Sequence, residues 1–144
     1  MASARSLARW CQARPEFAQV LHPALSDSPG HVHWQSLCAG GPALPVEGKG
    51  QHMQGGAAGL FSVIFDPRYT QAQVDTFCDA LKLFKLGYSW GGPMSLVVPY
   101  ALATMRQGWP AHLAHGPLVR FSVGLEAVSD LQDDLAQALQ SALG

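Results

Sequence analysis

The chain has 144 residues, 48% of them hydrophobic, enough to bury a core as one domain. Nine basic against ten acidic residues leave a formal charge of −1, which gives no long-range attraction for nucleic acid or an acidic membrane. No apolar run approaches the ~20 residues of a membrane span, and the N-terminus lacks the continuous apolar segment of a secretory signal.

In chain order, the first element is a helix. Leu7, Trp10 and Cys11 fall at i, i+3 and i+4, and Pro15 stops it. Met1 to Arg14 carries arginines and no acid, a composition shared with transit peptides, but the helical stripe is the reading carried forward. Phe17 to Leu21 reads as a short strand before His22-Pro23. Ser28-Pro29 places a proline in the first-turn position of a short helix that runs to about Cys38. From Ala39 to Ala58 the composition turns to Gly, Pro and small polar residues, expected to be a flexible loop.

Leu60 to Phe65 is an apolar run closed by Asp66-Pro67, as in a strand covered on both faces. Thr70-x-x-Gln73 is a capping box for a helix whose Val74, Phe77, Cys78 and Leu81 make a core stripe. Leu86 to Pro99 reads as a short strand, a tight turn at Gly91-Gly92-Pro93, and a second strand from Ser95. Leu102 to Gln107 adds a helical turn that Gly108-Trp109-Pro110 interrupts. Leu118 to Val123 is a strand, and Ser129-x-x-Gln132 is expected to cap a last helix with Leu131, Leu135, Leu139 and Ala142 near one face. Strands at 60–65, 85–88, 95–98 and 118–123 with helices between and after them describe an α+β fold. It has a small, mainly antiparallel sheet, helices packed on one face, and a second face that needs a partner.

Arg120 is the first candidate for chemistry. Side chains alternate along a strand, so Val119, Phe121 and Val123 share the core face while Arg120 and Ser122 share the other. From the residues alone, Arg120 is a solvated strand arginine, and Ser89 and Trp90 are turn residues with the indole packed over an edge. His31-x-His33 and His112-x-x-His115 lack companion ligands at metal spacing, so no metal site is assigned. Cys11, Cys38 and Cys78 are scattered and odd in number, and read as reduced thiols of a cytoplasmic protein. Gly48-Lys49-Gly50 is too short for a phosphate loop.

Tyr88-Ser89-Trp90-Gly91-Gly92 with Ser95-Leu96, then Val119 to Glu126, then Asp130-Leu131 and Asp134-Leu135, resemble the C-terminal region of a known family. That family is the pyridoxal-phosphate (PLP) enzymes of cysteine and methionine metabolism. Trp10, Pro15, His22-Pro23, Leu25 and Gly30-His31 fit the helix and loop leading into that region, while the 39–58 loop is longer than the family's usual connection. A tryptophan after the serine is more like the cystathionine β-lyase branch.

The resemblance implies a single C-terminal domain of a fold-type I PLP enzyme over 1–144, with 1–14 as the end of a connecting helix. It implies that Arg120 holds the α-carboxylate of a sulfur amino-acid substrate, with Ser89 as a second contact and the Trp90 backbone amide as a third. A planar fork of donors suits a carboxylate. It assigns Tyr88 no catalytic role. The cofactor needs a Schiff-base lysine, an acid on its ring nitrogen and donors for its phosphate. In the family these lie in a preceding large domain, and Lys49, Lys82 and Lys85 match no lysine motif of it. The reading is therefore the C-terminal part of a carbon–sulfur β-lyase that converts cystathionine to homocysteine, pyruvate and ammonia. This chain alone would be inactive without its large domain or subunit, within an enzyme expected to be a homo-oligomer. The alternative is a truncated, non-catalytic remnant or a subunit-interaction domain.

Overall fold

A computed structural model describes residues 2–39 and 56–144. The loop expected over 39–58 falls mostly outside the described residues, as does Lys49; residues 56–59 have no regular secondary structure.

Helix α1 (Ala2–Gln12) is followed by strand β1 (Phe17–Leu21), a one-turn helix α2 (His31–Trp34) and a π-helical turn Gln35–Ala39. Strand β2 (Leu60–Phe65), helix α3 (Gln71–Ala80), strand β3 (Lys85–Leu86) and strand β4 (Leu96–Tyr100) come next. Helix α4 (Leu102–Met105), strand β5 (Leu118–Ser122) and helix α5 (Val128–Leu143) complete the chain. The five strands form one sheet in the order β1-β2-β5-β4-β3. All neighbours are antiparallel except β3 and β4, which run parallel. The mainly antiparallel sheet expected from the sequence is therefore present. The Gly91-Gly92-Pro93 turn does not close a hairpin, because residues 87–95 loop out so that β4 re-enters the sheet in the same direction as β3.

One face of the sheet carries the core. The register aligns Phe61, Val97 and Phe121 in one row and Val63 with Val119 in the next, and all five are buried. Helices α1, α3 and α5 supply Leu7, Cys11, Val74, Phe77, Leu131 and Leu135 to the same cluster. Phe121 stacks on Phe61 at 5.1 Å and meets Phe84 edge-on at 5.1 Å, so the central strand is held by aromatic contacts from two sides. The Thr70 capping box forms as expected: Gln73 N–H donates to Thr70 Oγ1 (3.3 Å) and Thr70 N–H to Gln73 Oε1 (2.9 Å).

Two local expectations are corrected. Ser129 does not cap α5: the N-cap is Ala127, and Ser129 lies inside the helix with its hydroxyl toward Asp130 (3.3 Å). The cause is tertiary, because Leu125 N–H is tied to Pro93 O (2.9 Å) and Glu126 is bonded to Ser95, which starts the helix immediately afterwards. Likewise Ser28-Pro29 precedes α2 rather than opening it, because Gly30 takes a left-handed φ of 81° that a helical first turn excludes.

The second face is partly covered by the chain itself. Gln19 pairs with Ile64 on this face, and its side chain bonds Ala114 N–H (2.7 Å) and the His112 carbonyl (3.1 Å). Gly116, at φ 150°, sits against the Phe65 carbonyl, where any Cβ would collide. The 101–117 connection thus reaches across the sheet, and Ile64 is fully buried beneath it. What stays open lies on the β5-β4-β3 side.

Candidate functional site

Arg120 is on β5, the central strand, between Ser62 of β2 and Val98 of β4 in register. Val119 and Phe121 go to the core, so alternation sends Arg120 to the second face, as the sequence predicts. There its Nη2 donates to the Tyr88 carbonyl (2.7 Å) and more weakly to the Ser89 carbonyl (3.4 Å). The guanidinium carbon lies 6.0 Å from the ring centres of both Trp90 and Tyr100. Arg120 Nε is buried and has no hydrogen-bond partner among the described residues. The three residues singled out from sequence are therefore neighbours, although 30 positions separate Arg120 from Trp90.

The carbonyl of Ser89, not its hydroxyl, faces Arg120. Among the described residues no group bonds the Ser89 hydroxyl or the Trp90 amide. Both side chains are exposed, as is Tyr88, with Trp90 at 64% and Tyr88 at 75%. Gly91 has the left-handed φ (74°) that its place in the turn requires, whereas nothing lies within 4 Å of a Cβ built on Gly91 or Gly92. The close backbone approach occurs instead at Gly124, where a Cβ would strike the Pro93 carbonyl and Met94.

Two residues without an assigned role fix this geometry. Ser95 is fully buried, and both its N–H and its hydroxyl donate to Glu126, each at 2.8 Å, while Gly124 N–H donates to Ser95 Oγ (2.9 Å). Burial raises the Glu126 pKa, but the bonds from the Ser95 amide and hydroxyl and from its own backbone outweigh this and hold the carboxyl below its ordinary value. Asp134 is the other. Buried on the apolar face of α5, it accepts the N–H groups of Lys82 (2.8 Å), Leu83 (2.8 Å) and Phe84 (3.2 Å). It caps the turn that delivers β3. Its signal in the sequence is an acid one residue before Leu135 on a helix face otherwise apolar.

The histidine pairs are apart from this site: His31 Nδ1 donates to the Pro23 carbonyl (2.8 Å), and His115 stacks on Trp109 (4.9 Å). No three potential metal ligands lie together among the described residues. No described helix is long and apolar enough to cross a membrane. Lys82, on the α3–β3 turn, and Lys85, at the start of β3, are exposed, and the Lys85 ammonium donates to the Lys82 carbonyl (2.6 Å).

Comparison with known proteins places the chain in a family. The family model for Cys/Met metabolism PLP-dependent enzymes matches residues 1–140. The cystathionine beta-lyase of Salmonella typhimurium is 34% identical over 137 residues, covering 93% of this chain and 30% of that protein. An L-alanine/L-glutamate racemase of Wolbachia pipientis is 31% identical over 137 residues, covering 95% of this chain and 30% of that protein. Among solved structures, metB from Corynebacterium glutamicum superposes with a TM-score of 0.67 at 31% identity, over 97% of this chain and 32% of that one. The chain thus spans about a third of the length of the proteins it matches. It belongs to the PLP-dependent enzymes of cysteine and methionine metabolism.

Proposed function

We propose that this chain is the C-terminal domain of a cystathionine β-lyase-like enzyme and supplies the site for the substrate's α-carboxylate. Residues 1–14 are the end of the helix that connects it to a PLP-binding large domain. The observation that carries the reading is the meeting of Arg120 with the Tyr88–Trp90 segment, which leaves a cation on the uncovered side of the sheet beside free donors. Arg120 binds the carboxylate with its planar fork, and the Ser89 hydroxyl and Trp90 N–H complete the contacts. Tyr88 and Ser89 carbonyls hold one edge of the guanidinium in place, so less freedom is lost on binding. Bound PLP supplies the electron sink for carbon–sulfur cleavage; the residues that hold it belong to the large domain.

A second reading is that the chain is a subunit-interaction domain without activity of its own. Leu86, Tyr88, Trp90 and Met94 favour it, since these large apolar side chains are exposed together along the β3 side. Joining the chain to a family large domain separates the two. The joined protein is expected to release homocysteine and pyruvate from cystathionine, whereas the 144-residue chain with added PLP is expected to show no turnover. A joined protein that binds PLP but leaves cystathionine intact would favour the interaction reading.

A further inference from the structure

On the helix side of the molecule, away from Arg120, α1 and the α2 turn enclose an open cavity of about 570 Å³. Arg5, Arg9 and Gln12 line it from a single stripe of α1, at i, i+4 and i+7, and His31 and Trp34 line it opposite. The ion pairs among the described residues are Arg14–Glu16 and Arg68–Asp66, so neither Arg5 nor Arg9 meets a carboxylate there. The nearby acid, Asp27, has both oxygens bonded by Gln12 Nε2 (2.8 and 2.9 Å).

The walls present donors. Arg5 Nε is buried without a partner among the described residues. His22, fully buried next to the Ala24–Ser26 wall, accepts Ala24 N–H at Nδ1 (3.1 Å), so its neutral ring carries the proton on Nε2, which also lacks a partner there. Burial, and then the charge of Arg5, lower the His22 pKa, as expected beside an uncompensated cation. His31 Nδ1–H is committed to the Pro23 carbonyl, and its ring lies 5.6 Å from that of Trp34.

We propose that this cavity binds a phosphate group. Two guanidinium forks exceed what a monocarboxylate, with one charge and two oxygens, can satisfy. A dianion with three terminal oxygens matches them, as inorganic phosphate or as the phosphate of a small ester whose body lies against Trp34. The site is separate from the carboxylate site and stands or falls independently of it.

The test is a calorimetric titration of the 144-residue chain with inorganic phosphate, phenyl phosphate and malonate, with chloride at matched ionic strength as control. Saturable phosphate binding is expected, with shifts of the Trp34 indole and His31 ring resonances. Arg5→Gln and Arg9→Gln should each weaken it about tenfold or more. Tighter binding of phenyl phosphate identifies an ester as the ligand, and equal binding identifies the free anion. Because Arg5 is partly buried, the exposed Arg9→Gln carries the test if Arg5→Gln perturbs the fold. An unsaturable response that chloride reproduces, binding unchanged in Arg9→Gln (an adventitious ion only), or malonate binding as tightly as phosphate would overturn the proposal.

Discussion

Glu126 accepts both the amide and the hydroxyl of Ser95, at 2.8 Å each, and so ties the start of β4 to the residues that follow β5. The bond pair closes the base of the loop that carries Ser89 and Trp90, and Gly124 leaves the room it needs. Glu126→Gln leaves one Ser95 donor facing an amide NH2 in a buried setting. The expected loss is about 1–3 kcal/mol at neutral pH, read by urea unfolding.

The same contact has a signed pH dependence. The folded Glu126 pKa lies below the ordinary value of about 4.3, so its stabilisation is complete above that pH and is lost as pH falls through the folded pKa. The stability gap between wild type and Glu126→Gln should therefore narrow in acid. A gap that stays constant or widens would contradict the assignment.

Asp134 holds three backbone N–H groups with a buried carboxylate, so removing it strands several donors at once. Asp134→Ala is expected to cost about 3 kcal/mol or more. Hydrogen exchange at Lys82, Leu83 and Phe84 should accelerate first, and a loss below about 1 kcal/mol would contradict its role as a cap.

The two capping sequences make a matched pair. Thr70→Ala should cost about 0.5–2 kcal/mol, while Ser129→Ala should stay within about 0.5 kcal/mol, because only Thr70 bonds the helix end. Equal costs in thermal unfolding would mean that α5 starts two residues later, at Asp130.

Burial raises both core thiols: Cys78 to about 12, helped by Asp75 and Asp79, and Cys11 well above the ordinary thiol range, with Arg14 opposing. Only the part-exposed Cys38 should alkylate quickly in the folded chain. Since the folded pKa values lie above the unfolded one, the two thiols' contribution is complete below about pH 8.5 and falls away above it. Fast modification of two or three thiols in the native state would show that the core opens.

Much of this arrangement was legible in local pattern. The alternation around Arg120 and the i, i+3, i+4 stripe of α3 depend on neighbours in sequence, and both appear in the fold. The features that escaped are long-range. The parallel β3–β4 pairing, the displaced start of α5 and the burial of Asp134 are set by contacts 11 to 52 positions apart, which helical and strand periodicities do not report. Ser95 and Glu126 were visible as letters of a motif, but their bond was not. Arg120 meets the Ser89 segment through a backbone carbonyl, a contact that residue types along the chain do not specify.

The most direct test is kcat/KM for cystathionine in Arg120→Ala, with the large domain restored. Losing one side of a desolvated ion pair should cost about 2–5 kcal/mol, a fall of roughly 30- to several-thousand-fold, with the fold and cofactor absorbance intact. Arg120→Lys should recover only part of it, since an ammonium cannot present the fork. A kcat/KM for Arg120→Ala within about threefold of the parent, less than ~0.7 kcal/mol, would contradict the carboxylate assignment and leave Arg120 a solvated strand residue.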